Sequence, residues 1–222
     1  MKSKLIPRVF PILAVLLIAW VIVYHPDANP QGQSQQSDLS AMIKDIFELQ
    51  NLARTDPKAV AKMLEDMLPY FRGNILSMPG EINLMTREGA SAVKEAADFL
   101  NSVTPVPALG ASRGMSFAAR DHVVSMSAAG KMGHYGPDGS SPFVRLNKYG
   151  KWVRTAGENI SCGAPTGKDV VLGLITDDGV ANRGHRTNIF NKNFTVTGIA
   201  CGRHPNCGIM CTIDYAGGFN EK

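Results

Sequence analysis

Apolar residues recur at helical spacing from Leu39 onward. Leu39, Met42, Ile43, Ile46, Leu49 and Ala53 fall three or four residues apart and predict an amphipathic helix. Asp56-Pro57 opens a second, with the acid as cap and the proline at the first helical position, and Val60, Leu64, Met67 and Leu68 form its inward face. Residues 72–86 show no such period and read as an irregular connection. Ala90, Val93, Ala97 and Leu100 mark a third helix, which Pro105 and Pro107 bring to an end. A fourth follows Gly114 and carries Phe117, Ala118, Val123 and Met126. Ser141-Pro142 starts a short fifth, closed by Gly150, and Thr166 with Asp169 three residues on opens a sixth that runs to Gly179. The pattern then changes. Residues 195–201 and 209–215 are β-rich runs facing each other across His204-Pro205-Asn206, the signature of an antiparallel hairpin, and residues 151–162 supply a third strand. Helices first and paired strands last predict an α+β domain with helices packed on a small antiparallel sheet.

The N-terminus follows a different rule. Lys2, Lys4 and Arg8 precede an uncharged apolar run over residues 9–24, the basic-then-apolar order of an export signal. The run is longer than a typical signal core and shorter than a membrane span of about 20 residues. No small-x-small cleavage site follows, since Pro26 and Asp27 precede Ala28, so a cleaved signal and a retained membrane anchor both stand. Residues 26–38 are polar and read as a flexible linker. The organisation expected is an export segment over 1–25, a linker over 26–38 and one folded domain over 39–222.

Composition narrows the partners. The net charge is +4, but there is no dense basic run and no aromatic–basic interleaving, which argues against nucleic acid. An even number of cysteines in an exported chain points to two disulfides among Cys162, Cys201, Cys207 and Cys211, with three connectivities open. Zinc held by cysteine is disfavoured by the spacing, which contains no CxxC pair.

Candidate chemistry lies elsewhere. Gly110-Ala111-Ser112-Arg113-Gly114 fits G-x-S-x-G, but a nucleophile elbow needs a strand entering the turn, and the proline-broken stretch before it is no strand. Ser112 reads as a helix cap. His122, beside Asp121 in a helix, reads as a partly buried hydrogen-bonder, His204 in the hairpin turn as solvated, and His25 belongs to the export segment. His134 sits in a glycine-rich turn, Glu158 in Gly157-Glu158-Asn159-Ile160, Asp177 and Asp178 at a helix end, and His185 in Arg183-Gly184-His185-Arg186. Each has an ordinary structural reading as a solvated histidine or an ion-pair partner. Of the two Asn-x-Ser/Thr sequences, Asn159 is expected inside the fold and Asn193 in an accessible loop.

Taken together and in this order, His134, Gly157-Glu158-Asn159-Ile160, Asp177-Asp178 and Gly184-His185-Arg186, followed by a closing strand over residues 210–218, resemble the CAP superfamily of cysteine-rich secretory, antigen 5 and pathogenesis-related proteins, in its bacterial- or protist-type branch. The resemblance runs from about Leu39 to Phe219. It implies a three-layer α-β-α sandwich and a cleft of two histidines and two acids, carried over as His134, Glu158, His185 and Asp177, with Asp178 as the alternative fourth member. Imidazoles and carboxylates of this kind suit a divalent metal such as Zn2+. The resemblance implies an exported binding module without enzymatic activity, located outside the cell or on the outer face of a membrane, with a lipid, a sterol or an extracellular protein as partner. The alternative is a metal-dependent hydrolase, peptidase- or esterase-like, with Glu158 as general base. A third reading makes the tetrad a purely structural tie between layers.

Overall fold

The computed structural model describes residues 30–222, so the reading of residues 1–25 as signal or anchor lies outside the described residues. Among the described residues no helix is long and apolar enough to cross a membrane. Among the described residues seven α-helices and nine strands follow one another as α1 (Pro30–Thr55), α2 (Pro57–Glu65), β1 (Phe71–Arg72), β2 (Ile75–Leu76), β3 (Leu84–Met85), α3 (Ala90–Ser102), β4 (Gly110–Ala111), α4 (Arg113–Ala129), α5 (Pro142–Tyr149), β5 (Gly150–Trp152), β6 (Ala156–Cys162), α6 (Gly167–Thr176), α7 (Gly184–Ile189), β7 (Val196–His204), β8 (Gly208–Ala216) and β9 (Phe219–Glu221).

The capping residues read from sequence do what was expected of them. Asp56, Ser112, Ser141 and Thr166 each accept a backbone N–H at the start of α2, α4, α5 and α6. Three readings need correction. Residues 30–38, expected as flexible linker, are helical and begin α1, because nothing in that polar stretch breaks the helix that the apolar residues after it anchor. Residues 72–86, expected to be irregular throughout, are mostly turns and bends but also hold the end of β1 with β2 and β3, which pair as a small antiparallel sheet ordered β1-β2-β3, each strand too short for an alternating pattern to show. The expected third strand over 151–162 is two strands: β5 pairs with β9, and β6 joins the main sheet.

The main sheet is ordered β4-β7-β8-β6, with β7, β8 and β6 antiparallel and β4 parallel to β7. Alternation along β7 and β8 divides the side chains between two faces. Ile199, Cys211, Ile213 and Tyr215 enter the larger core with α1, α2, α3 and α6. Ala200 and Ala216 point the other way, to the α4–α5 layer with Met115, Ala118, Ala119, Val123 and Leu146. The result is the three-layer α-β-α arrangement of a mixed α+β domain. α4 lies close to β7 because residue 198 is glycine: a Cβ there would stand 2.3 Å from the backbone of Met115 and Ser116. On the opposite side the fully buried Arg54 gives its guanidinium to the carbonyls of Pro107 (2.8 Å), Ile189 (2.5 Å) and Phe194 (3.1 Å), tying the end of α1 to the segment before β7.

Candidate functional site

β6 carries the first half of the site. Its register sets Glu158 opposite Asp214 and Ile160 opposite Thr212, on the α4–α5 face, while Asn159 lies opposite Ile213 and faces the other layer. The Glu158 side chain is only 1% exposed. One of its oxygens meets His134 Nδ1 at 2.8 Å, and the other accepts from Arg145 Nη2 at 2.5 Å. Arg145, on α5, also donates from Nη1 to the carbonyls of His134 (3.1 Å) and Ser140 (2.9 Å), so one buried guanidinium fixes both the carboxylate and the glycine-rich turn that presents His134. The hydrogen bond to Glu158 raises the pKa of His134 above its ordinary value. A carboxylate only accepts, so Nδ1 carries the hydrogen and neutral His134 keeps its Nε2 lone pair free.

Behind this pair the sheet hides a second acid. Asp214 is fully buried and no donor group reaches its oxygens, and Arg145 Nε, Thr212 Oγ1 and His122 Nδ1 are likewise unpartnered. Burial first, and then the Glu158 charge across the ladder, push the Asp214 carboxyl well above the usual range. Both causes disfavour the charged form of Asp214.

The second half sits where α6 turns into α7. Asp177 ends α6 in the left-handed region (φ 55°), a conformation that aspartate tolerates better than most residues. This turn aims both oxygens at one residue: Oδ1 meets His185 Nδ1 at 2.6 Å, and Oδ2 accepts the His185 backbone N–H at 2.8 Å. Asp178 faces away and accepts the backbone N–H groups of Arg87 and Glu88, so the acid beside His185 is Asp177. The turn is braced from outside by Arg183, which donates to the Asp177 carbonyl (2.7 Å) and pairs with both oxygens of Glu88 (2.7 and 2.8 Å). The Arg183 bonds, first among several causes, lower the Glu88 pKa to about 2.

The halves meet along a seam of amides. Asn159 donates to the His185 carbonyl at 3.0 Å, and Asn188 donates to Asn159 Oδ1 at 2.8 Å and to the Glu158 carbonyl at 3.3 Å. The four residues read from sequence thus form two adjoining imidazole–carboxylate pairs. They do not form a single cluster: among the described residues, the metal-capable group whose donor atoms lie within 4.8 Å of one another is Cys162, His204 and Cys207. Arg145 and Asp214 are the functional neighbours that sequence reasoning missed. The available signal was a charge at an inward position of an otherwise apolar strand, Ile213-Asp214-Tyr215.

The remaining candidates resolve simply. Ser112 caps α4 and donates to Glu221 at 2.7 Å, a structural role. His122 is buried, its Nε2 bonded to the Gly133 carbonyl. His204, expected in solvent, is buried instead, with Nε2 3.0 Å from the Lys131 carbonyl oxygen. The disulfides are Cys162–Cys207 and Cys201–Cys211. Asn159 is buried and Asn193 exposed, as expected.

The profile of the CAP family, described as the Cysteine-rich secretory protein family, matches residues 70–215, well over half of the chain. The chain belongs to the CAP family. The match takes in both histidines, both acids, Arg145 and Asp214, so the two pairs lie within the matched part of this CAP domain. The protein YkwD of Bacillus subtilis is 35% identical over 85 residues, 38% of this chain and 31% of that protein, so the matched stretch spans about a third of that relative's length. Among solved structures, an extracellular SCP-domain protein of Bacillus anthracis is similar with a TM-score of 0.41 and 22% identity, over 50% of this CAP chain and 34% of that one. An outer surface protein of Borrelia burgdorferi is similar with a TM-score of 0.44 and 14% identity, over 53% and 80% of the two chains.

Proposed function

We propose that this CAP domain is an exported, non-enzymatic binding module that holds a divalent metal ion between His134 and His185. The observation that carries the reading is the matched hydrogen bonding of the two imidazoles. Each gives Nδ1–H to a buried carboxylate, Glu158 or Asp177, which fixes ring and tautomer and leaves Nε2 as the free ligand atom. This is how proteins prepare histidine for zinc and similar ions, with a carboxylate holding the far nitrogen. The donor chemistry suits such an ion, since neutral imidazole nitrogens are good ligands for it. His134 and His185 would hold it, while Glu158 and Asp177 act through them. A bound metal would supply Lewis acidity, but both Glu158 oxygens are already engaged by His134 and Arg145, which favours a binding role over one as general base.

Export is supported by the basic-then-apolar order of residues 2–24 and by the two disulfides, which persist in oxidising compartments. A lipid or sterol ligand belongs to the same reading. The exposed apolar side chains Ile75, Ile82, Leu84 and Met85 on and around β2 and β3 are its candidate surface. Calorimetric titration of the full chain with zinc tests the metal reading: binding is expected near neutral pH, weakening as protons compete for imidazole, and lost in H134A/H185A. Undiminished binding in that double variant would refute it.

A further inference from the structure

The turn between β7 and β8 assembles a second set of donors. Cys162 ends β6, His204 ends β7 and Cys207 lies in the turn, and two sulfurs and an imidazole nitrogen come within 4.8 Å of one another. The sulfurs are joined as the Cys162–Cys207 disulfide. We propose that this disulfide is a redox gate: reduced, the turn becomes a Cys2His site for a zinc-like divalent cation, separate from His134 and His185.

The tautomer of His204 supports the assignment. Its Nε2 lies 3.0 Å from the Lys131 carbonyl oxygen, which only accepts, so Nε2 carries the hydrogen and Nδ1 presents a lone pair. The partner of Nδ1 is the Asn206 backbone N–H, at a long 3.3 Å. A ligating imidazole commonly donates its other N–H to a backbone carbonyl, so the support for a metal bond at Nδ1 is already built.

The reach is also right. Tetrahedral zinc binds sulfur at about 2.3 Å and nitrogen at about 2.0 Å, which spaces the donor atoms by roughly 3.5–3.8 Å. Disulfide sulfurs stand about 2.05 Å apart, so they need to separate by less than about 2 Å, within reach of side-chain rotation. The Cα atoms, 5.7 Å apart, can stay where they are.

The two disulfides differ in access at one sulfur: Cys162 and Cys207 are both partly exposed at the end of the sheet, whereas the other bridge joins the partly exposed Cys201 to the buried Cys211. A dithiol reductant attacks one exposed sulfur and breaks the S–S bond. It supplies two electrons and two protons and leaves as its own disulfide, and Cys162 and Cys207 become thiols. Metal binding then displaces the two thiol protons, while His204 Nδ1 has none to lose.

Cobalt(II) is the probe, because thiolate ligation gives a sulfur-to-cobalt charge-transfer absorption that nitrogen and oxygen ligands lack. The full chain is reduced with a dithiol, freed of reductant without air and titrated. The expected result is a charge-transfer band saturating at one equivalent, absent from the oxidised chain and abolished by reoxidation. C201S/C211S should keep the band, C162S/C207S should lose it, and His204→Asn should weaken cobalt binding at least tenfold. Should the His204 variant fail to fold, the reversible appearance of the band in the unsubstituted chain, at unchanged circular dichroism, carries the test. A reduced chain without the band, or a band that survives in C162S/C207S, overturns the proposal. Cobalt held by His134 and His185 is told apart by lacking the band and by being indifferent to the reductant.

Discussion

The two imidazole–carboxylate pairs look alike at the ligand and differ in everything behind it. His134 is held by Glu158, which is held by Arg145, and all the supporting charge lies inside the protein between β6, β8 and α5. His185 is held by Asp177, and there the support is mostly backbone: a left-handed helix end, the His185 N–H, and an outer brace of Arg183 and Glu88 near solvent. One half therefore rests on buried electrostatics, which are costly to unbalance, and the other on chain geometry, which is costly only if the turn itself is lost. The difference teaches that the same hydrogen-bond pattern at a ligand says little about how sensitive its support is to substitution.

Arg145→Met should break the comparison most strongly. It strips the cation from a carboxylate that is 1% exposed and sits opposite a second buried acid, and the loss of one partner from a buried pair costs about 3–5 kcal/mol. Denaturant unfolding near neutral pH reads this loss. Glu88→Gln, the corresponding change in the outer brace of the other half, should give a much smaller shift in midpoint. If the two variants were equally destabilised, the contrast between buried and surface support would be wrong.

Asp214→Asn sharpens the same point with a change of sign. Asp214 has its pKa raised in the folded state, so its contribution to stability is fully present below the unfolded value and is lost as pH rises through the folded one. The neutral, isosteric amide escapes that loss. It should be as stable as the parent chain in acid and more stable as pH rises, by thermal unfolding across pH. A variant destabilised at every pH would mean that the carboxylate of Asp214 is ionised and paired.

His134→Gln should have the smallest effect. The folded-state pKa of His134 is raised by Glu158, so its stabilisation is present below the unfolded value near 6.5 and disappears as pH rises through the folded value. The side chain is half exposed, so solvent screening keeps the effect under about 1 kcal/mol. Unfolding at mildly acidic pH should show a small deficit that closes on the alkaline side. A deficit that grows with pH would contradict the pairing.

Much of this was legible in the chain. Caps such as Asp56, Ser112 and Thr166 announce themselves because the oxygen and the orphan N–H it satisfies are three residues apart. The hairpin of β7 and β8 shows in the β-rich runs on either side of its turn, and His134, Glu158 and His185 show in their motifs. What was hidden depends on contacts between distant residues. Arg145 looks like any cation on a short helix until α5 folds over β6. Asp214 gains its meaning only from the register that sets it opposite Glu158. His204 looked solvated because its partner, the Lys131 carbonyl, lies 73 residues away. The choice between Asp177 and Asp178 turned on a single left-handed residue, which the sequence pair could not decide.

The central claim is that both imidazoles are set by their carboxylates to offer Nε2. Long-range proton–nitrogen NMR correlations of His134 and His185 measure this directly, above the pKa of each ring and with and without zinc. The expected spectra show the Nδ1–H tautomer at both residues in the metal-free chain, with both Nε2 resonances shifting together as zinc is added. An Nε2–H tautomer at either residue, or spectra that zinc leaves unchanged, would contradict it.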